Sequence, residues 1–189
     1  MRQRLYQGPR ERAQKVLLEC GVKEFPVDPL EICRHYGIAV DLCNFDGDTP
    51  GISFVYGGIP MVFIRSSEPP NRQRFILAHE IGHIMLGHVG AWGSVADNRP
   101  PSRKERERAA MAFAAELLMP QCVLLQTDIS SVDQIVVGNK VPFCAAFYSL
   151  KKTERRRRSG APFTTLEAEI CERFSDYIAT HSQRTSSHW

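Results

Sequence analysis

The stretch RFILAHEIGHIMLGH, residues 74–88, decides the fold of this chain. At its centre, residues 79–83 form the pattern H-E-x-x-H, and the apolar residues on both sides predict a helix. On a helix, His79 and His83 lie one above the other, and two imidazoles at that spacing can bind one Zn²⁺. Glu80 is rotated by about 100° from His79. It can therefore act as a general base toward a water molecule without binding the metal itself.

The surroundings of this pattern favour a metal site over chance. A bare H-E-x-x-H match also occurs on surface helices with two unrelated histidines. Here the histidines share a stripe with Phe75 and Leu86, so they lie on the apolar face. Gly82 costs a helix about 1 kcal/mol relative to alanine. This cost predicts that another backbone or a substrate approaches closely at that position.

A catalytic zinc ion usually has three protein ligands, so a third ligand is expected. His88 follows His83 by five residues, and on a helix that spacing places it about 140° away. We therefore interpret His88 as a helix-end residue near the C-terminal dipole. A better source is the segment RKERERAAMAFAAELLMP at residues 103–120, whose composition predicts a helix that ends at Pro120.

Glu107 is the glutamate of this second helix that shares a stripe with apolar residues, among them Ala110 and Leu117. Glu105 and Glu116 are predicted to point roughly the other way. A carboxylate on a buried stripe needs a partner, which could be a zinc ion or an arginine at the helix edge. The residues alone leave these two alternatives open.

Together, the two segments resemble the ImmA/IrrE-type metallopeptidases. The resemblance rests on RFILAHEIGHIMLGH and on ERAAMAFAAELLMP at residues 107–120, where the family has E-x-x-A-N-x-F-A-x-x-L-L-M-P. This chain has Met111 where the family usually has asparagine. The similarity covers residues 16–178 and implies a zinc-dependent endopeptidase. It implies these roles: zinc ligands His79, His83 and Glu107, and catalytic Glu80.

The resemblance also implies a protein substrate, typically a helix-turn-helix transcriptional repressor of a mobile element or stress response. Two alternatives belong to other classes. One is a metal-containing module that sequesters a regulator without cutting it. The other is a DNA-binding protein using residues 131–158, which read as helix, turn, helix and the basic run KKTERRRR. DNA binding is not expected, because no basic residue precedes Lys151 on the recognition helix that this segment would supply.

The composition is typical of a cytoplasmic enzyme. The net charge of +3 is too small to predict nucleic-acid binding. The six cysteines are widely spaced without a C-x-x-C pair, which argues against a cysteine–zinc site and a secreted disulfide framework. The N-terminal residues lack the apolar segment of a secretion signal, and no apolar run is long enough to predict a membrane span.

The sequence predicts an α+β fold, in which a small, mostly antiparallel sheet packs against a helical bundle with the H-E-x-x-H helix. Residues 51–56 and 60–64 predict a hairpin around Gly57 and Gly58, and residues 38–42 predict a further strand. The first hairpin strand is our candidate edge for an extended substrate. We expect four parts: a flexible N-terminus at 1–9, a zincin-like core at 10–130, a helical part of the same domain at 131–179, and a disordered tail at 180–189.

Further helices are predicted by apolar periodicity and by capping residues. Asp28 and Pro29 are expected to start one of them, with Asp28 as the N-cap. The others are expected at residues 10–20, 131–137, 142–150 and 165–179. A Gly/Pro/Asn-rich loop at residues 90–102 joins the two metal helices. This loop and the 131–158 helices are our candidates for restricting access to the cleft.

Overall fold

The computed structural model describes residues 2–44, 49–89 and 101–182, with the backbone alone for residues 2–7. Contacts divide the chain into two compact units. The first comprises Met1–Ala13 and Asp28–Ala114, and the second comprises Gln14–Val27 and Ala115–Trp189. Within the described ranges, no helix is both long and apolar enough to cross a membrane.

The structure confirms the predicted α+β fold, with a small sheet in the first unit and helices in both. The helices are α1 (Arg2–Glu19), α2 (Pro29–Tyr36), α3 (Pro70–Met85), α4 (Arg103–Leu118), α5 (Gln121–Leu125), α6 (Val132–Asn139), α7 (Phe143–Ser159), α8 (Thr165–Arg173) and α9 (Ser175–His181). The strands are β1 (Ala39–Cys43), β2 (Gly51–Tyr56) and β3 (Ile59–Arg65).

Local capping signals place α2 as predicted. The Asp28 side chain accepts a hydrogen bond of 3.0 Å from the backbone N–H of Leu30, and Pro29 is the first helical residue. Gly37 ends the helix in the left-handed conformation, with a φ of 65°, which glycine adopts without steric cost. The chain then enters β1 directly.

The sheet has the order β1-β3-β2, with β3 at its centre. The predicted hairpin is confirmed: β2 and β3 pair antiparallel around Gly57 and Gly58, whose φ angles are 58° and 83°. In contrast, β1 and β3 pair parallel, so the sheet is mixed rather than mostly antiparallel. A parallel pair requires a crossover between distant residues, and the periodicity of a strand carries no information about it.

Close backbone approaches fix α3 in the first unit. A Cβ atom added to Gly51 would lie 2.5 Å from Cγ2 of Ile76, so β2 can run this close to α3 only with glycine at that position. A Cβ atom added to Gly82 would lie 3.2 Å from the backbone of Ala110 and 3.0 Å from the ring of Phe113. The close approach predicted from Gly82 is therefore confirmed, and α4 is the neighbour.

In the second unit, several buried polar side chains form hydrogen bonds or ion pairs. Nδ2 of Asn139 donates a hydrogen bond of 2.9 Å to the carbonyl of Leu118. Nε2 of Gln14 donates one of 2.7 Å to the Glu116 carboxylate. Arg156, near the end of α7, forms an ion pair with the buried Glu167 of α8. These pairs offset part of the cost of removing the polar groups from water, although Oδ1 of Asn139 is buried without a hydrogen-bond partner among the described residues.

Three predicted helix boundaries were wrong. Helix α1 begins at Arg2 and not at residue 10, with Pro9 inside it. Helix α7 continues to Ser159 and includes the basic run, because its last turn ends at Gly160 in the left-handed conformation. The helix predicted at residues 165–179 is two helices, α8 and α9, which meet at the fully buried Phe174.

Candidate active site

His79 and His83 lie on consecutive turns of α3 and point in the same direction. Their Nε2 atoms are 3.1 Å apart. Both side chains are largely covered, with 15 % and 12 % of their surface exposed. The other face of the helix is anchored by Ala78 and Ile81, which are fully buried. Packing of α3 therefore fixes the direction in which the two imidazoles project.

Glu107 on α4 completes a group of three possible metal ligands. Its Oε2 atom lies 3.2 Å from Nε2 of His79 and 3.6 Å from Nε2 of His83. Tetrahedral zinc sites have bonds of about 2.0–2.1 Å, which place neighbouring ligand atoms about 3.3 Å apart. Among the described residues, these three side chains form a group whose ligand atoms all lie within 4.8 Å of one another. The donor set and its spacing fit a zinc ion.

The burial that we predicted for Glu107 was wrong. Its side chain is 50 % exposed, whereas Ala110 and Leu117 of the same stripe are fully buried. Glu116, predicted to point away, is buried and accepts a hydrogen bond from Gln14. The reason is that α4 becomes buried on several faces toward its C-terminus, while Glu107 lies in an earlier, more exposed turn. The distances to the two histidines, and not burial of its side chain, therefore support Glu107 as a member of this group.

Glu80 lies beside strand β2 and outside the group of three. It is buried, and its Oε2 atom accepts a hydrogen bond of 2.7 Å from Oγ of Ser53. Its Oε1 atom would be 3.4 Å from a Cβ atom added to Gly51, so this carboxylate lies against the strand. Burial raises the pKa of Glu80 above its ordinary value, and the hydrogen bond from Ser53 opposes that shift.

The surroundings of His83 and His88 favour the neutral forms of these two side chains. Burial lowers the pKa of His83, and the neighbouring His79 lowers it further, while the Glu107 carboxylate acts in the opposite direction. Burial and the adjacent His83 lower the pKa of His88 to about 4. Neutral imidazoles are the form that binds metal ions, because the ligand nitrogen must have a free lone pair.

Two contacts of the predicted site residues were not predicted from the sequence. The first is Ser53, which donates to Glu80. Strand alternation could have identified it, because Ser53 shares the inward face of β2 with Gly51 and a buried polar side chain needs a partner. The second is His88, whose Nδ1 atom lies 3.1 Å from Nδ1 of His83. Gly87 was the available signal, since a glycine after a helix often reverses the chain direction.

Two comparisons with known proteins show what the chain is similar to. Residues 33–159, more than half of the chain, match the family described as the IrrE N-terminal-like domain, peptidase family M78. The chain is also 39% identical over 69 residues to the radiation response metalloprotease IrrE of Deinococcus radiodurans. That match covers 35% of this chain and 21% of the relative, so it spans about a fifth of the relative's length.

Proposed function

The chain belongs to the IrrE N-terminal-like family of metallopeptidases, and we propose that it is a zinc-dependent endopeptidase that cuts a protein substrate. In this proposal, His79, His83 and Glu107 are the zinc ligands and Glu80 is the general base. The observation that carries the proposal is the convergence of three ligand atoms within 4.8 Å of one another on α3 and α4, next in sequence to a buried glutamate.

The roles of the side chains follow from their surroundings. When bound at this site, zinc supplies Lewis acidity that activates water for attack on a peptide carbonyl. Glu80 accepts the proton of that water and later passes it to the leaving amine. Ser53 donates to Oε2 of Glu80, which leaves Oε1 with both of its lone pairs available for the proton. The raised pKa of Glu80 suits a group that must both accept and release a proton.

The neighbouring strand offers a place for the substrate. Strand β2 lies at one edge of the described sheet, with β3 as its neighbour. An extended peptide can add to such an edge through backbone hydrogen bonds, with alternate side chains setting specificity. Gly51 and Ser53 of β2 contact Glu80, so a peptide added to this strand would lie close to the base. This arrangement supports an extended segment as the bound form of the substrate.

The finer part of the proposal concerns the substrate. We propose a helix-turn-helix transcriptional repressor, met in the cytoplasm, as the resemblance implies. None of the six cysteines, all of which lie within the described residues, forms a disulfide bond, which supports a reducing compartment. Restricted access to the cleft would explain why the protein cuts one regulator and not proteins in general. Our candidates for this role stay predictions: the 90–102 loop, of which residues 90–100 lie outside the described residues, and the 131–158 helices.

Cleavage assays with the zinc-loaded protein test the proposed function. We expect it to leave casein largely intact and to cut a repressor encoded by a neighbouring gene at few positions, as seen by mass spectrometry of the products. Rapid and unselective digestion of casein would contradict restricted access. Stable binding of the repressor without cleavage, with zinc and any required trigger present, would favour the sequestering module instead.

Replacing Ser53 with alanine tests the support that β2 gives to Glu80. The variant loses one buried hydrogen bond to a carboxylate, and a loss of this kind is typically worth about 1.5–3 kcal/mol. We expect kcat to fall by at least about 10-fold, with KM and zinc content unchanged. Ser53→Thr is the matched control, since it keeps the hydroxyl and should recover most of kcat. Wild-type kcat in Ser53→Ala would remove this hydrogen bond from the mechanism.

A further inference from the structure

We propose that His88 is a positioning residue, which accepts a hydrogen bond from Nδ1 of His83 and so holds that imidazole in the orientation and tautomer needed for metal binding. The inference rests on the proposed zinc site. It adds a residue that neither the H-E-x-x-H pattern nor the group of possible ligands contains.

A change of chain direction at the end of α3 brings His88 to His83. The backbone N–H of His88 donates to the carbonyl of His83 at 2.8 Å, and that of Gly87 donates to the carbonyl of Ile84 at 3.0 Å. These two bonds, with Gly87 at a φ of 69°, form a Schellman motif. The motif returns the chain over the last turn of the helix. The angle of about 140° expected on a continuous helix therefore does not apply to His88.

The two nitrogens of His83 face different partners. Its Nε2 atom lies with Nε2 of His79 and Oε2 of Glu107, at 3.1 Å and 3.6 Å. Its Nδ1 atom lies 3.1 Å from Nδ1 of His88, and the two rings are inclined by 68°. His88 is thus on the side of the imidazole opposite to the group of ligand atoms, where it can orient His83 without binding the metal.

The positions of the protons follow from this arrangement. A neutral imidazole that gives its Nε2 lone pair to a metal carries its proton on Nδ1, which is then a donor. Nδ1 of His88 must therefore be the acceptor, with its own proton on Nε2. Outer partners of this kind fix the ring of a ligating histidine and make it a better ligand. By comparison, the buried Nδ1 atom of His79 has no hydrogen-bond partner within the described part of the chain.

Two substitutions of His88 distinguish the effect of its hydrogen-bond acceptor from the effect of its ring packing. His88→Phe keeps an aromatic ring but removes the acceptor. His88→Asn removes the ring but places its side-chain oxygen close to the original position of Nδ1. We expect His88→Phe to weaken zinc binding by about 10- to 100-fold, measured by competition with a chelator, and His88→Asn to stay within a few-fold of wild type. The absorption spectrum of the cobalt-substituted protein should change in His88→Phe and be retained in His88→Asn.

The same measurements include the results that would overturn the proposal. Equal zinc affinity in His88→Phe and wild type would show that the hydrogen bond does not matter. Equal weakening in both variants would assign the effect to the imidazole itself, either as packing or as a direct ligand. Failure of the wild-type protein to bind zinc would instead refute the proposed zinc site, and this inference with it. The melting temperature of the metal-free protein should be the same in all three forms.

Discussion

Replacing Glu80 with glutamine is expected to lower the rate of peptide cleavage by at least about 10²-fold, the lower end for a general acid–base group. Glutamine has nearly the same shape as glutamate but cannot accept the proton of the attacking water. Its side-chain oxygen can still accept the hydrogen bond from Ser53, so the packing against β2 is kept. The measurement is kcat/KM for the zinc-loaded variant and for wild type on the same repressor.

Zinc content and stability are the controls for this substitution. Glu80 lies outside the group of three possible ligands, so Glu80→Gln should retain stoichiometric zinc. Burial disfavours the ionised form of this carboxylate, and a neutral amide should therefore leave the unfolding temperature unchanged or higher. Undiminished cleavage would remove Glu80 from the mechanism. Loss of zinc together with activity would instead indicate that Glu80 is a ligand.

Local signals allowed the site-bearing elements to be predicted from the sequence. The apolar residues around the H-E-x-x-H pattern predicted α3, and helix propensity with Pro120 gave α4 its bounds to within two residues. Asp28 and Pro29 fixed the start of α2 through a cap that depends on adjacent residues only. Such signals suffice where a structure is decided within a few residues of chain.

Features that depend on distant residues were predicted less well. The parallel pairing of β1 with β3 needs a crossover that neither strand encodes. Apolar periodicity continues through residues 165–179, yet the helix is interrupted at Phe174, which is fully buried. Likewise, the exposure of Glu107 depends on what surrounds the early turns of α4. Period and composition report which residues are apolar, but they do not report what covers them.

The position of His88 depends on where helix α3 ends. On a continuous helix, the five-residue spacing from His83 predicts an unfavourable angle for His88 as a third ligand. Gly87 ends the helix before His88, so this angle does not apply. The Schellman turn places His88 against His83. When a role is assigned to a histidine near the end of a helix, the turn that follows the helix therefore matters as much as the angular position on it.

Replacing Glu107 with alanine is the substitution expected to have the largest effect on metal binding. Its carboxylate is the third ligand in our proposal, and two histidines alone leave a zinc ion one protein ligand short of a catalytic site. We therefore expect Glu107→Ala to lose most of its zinc, measured by elemental analysis after dialysis. Because the side chain is half exposed, the metal-free variant should unfold within about 0.5 kcal/mol of the metal-free wild type.

The matched control is Glu105→Ala, two residues earlier on the same helix. Glu105 accepts hydrogen bonds from the backbone N–H and the hydroxyl of Ser102 at the start of α4. Its loss should cost about 1 kcal/mol of stability but no zinc. Glu116→Ala is a poorer control, because Glu116 is buried with Gln14 as a partner. If Glu107→Ala and Glu105→Ala retain equal zinc, then Glu107 is not the third ligand, and its contacts with His79 and His83 have no role in binding the metal.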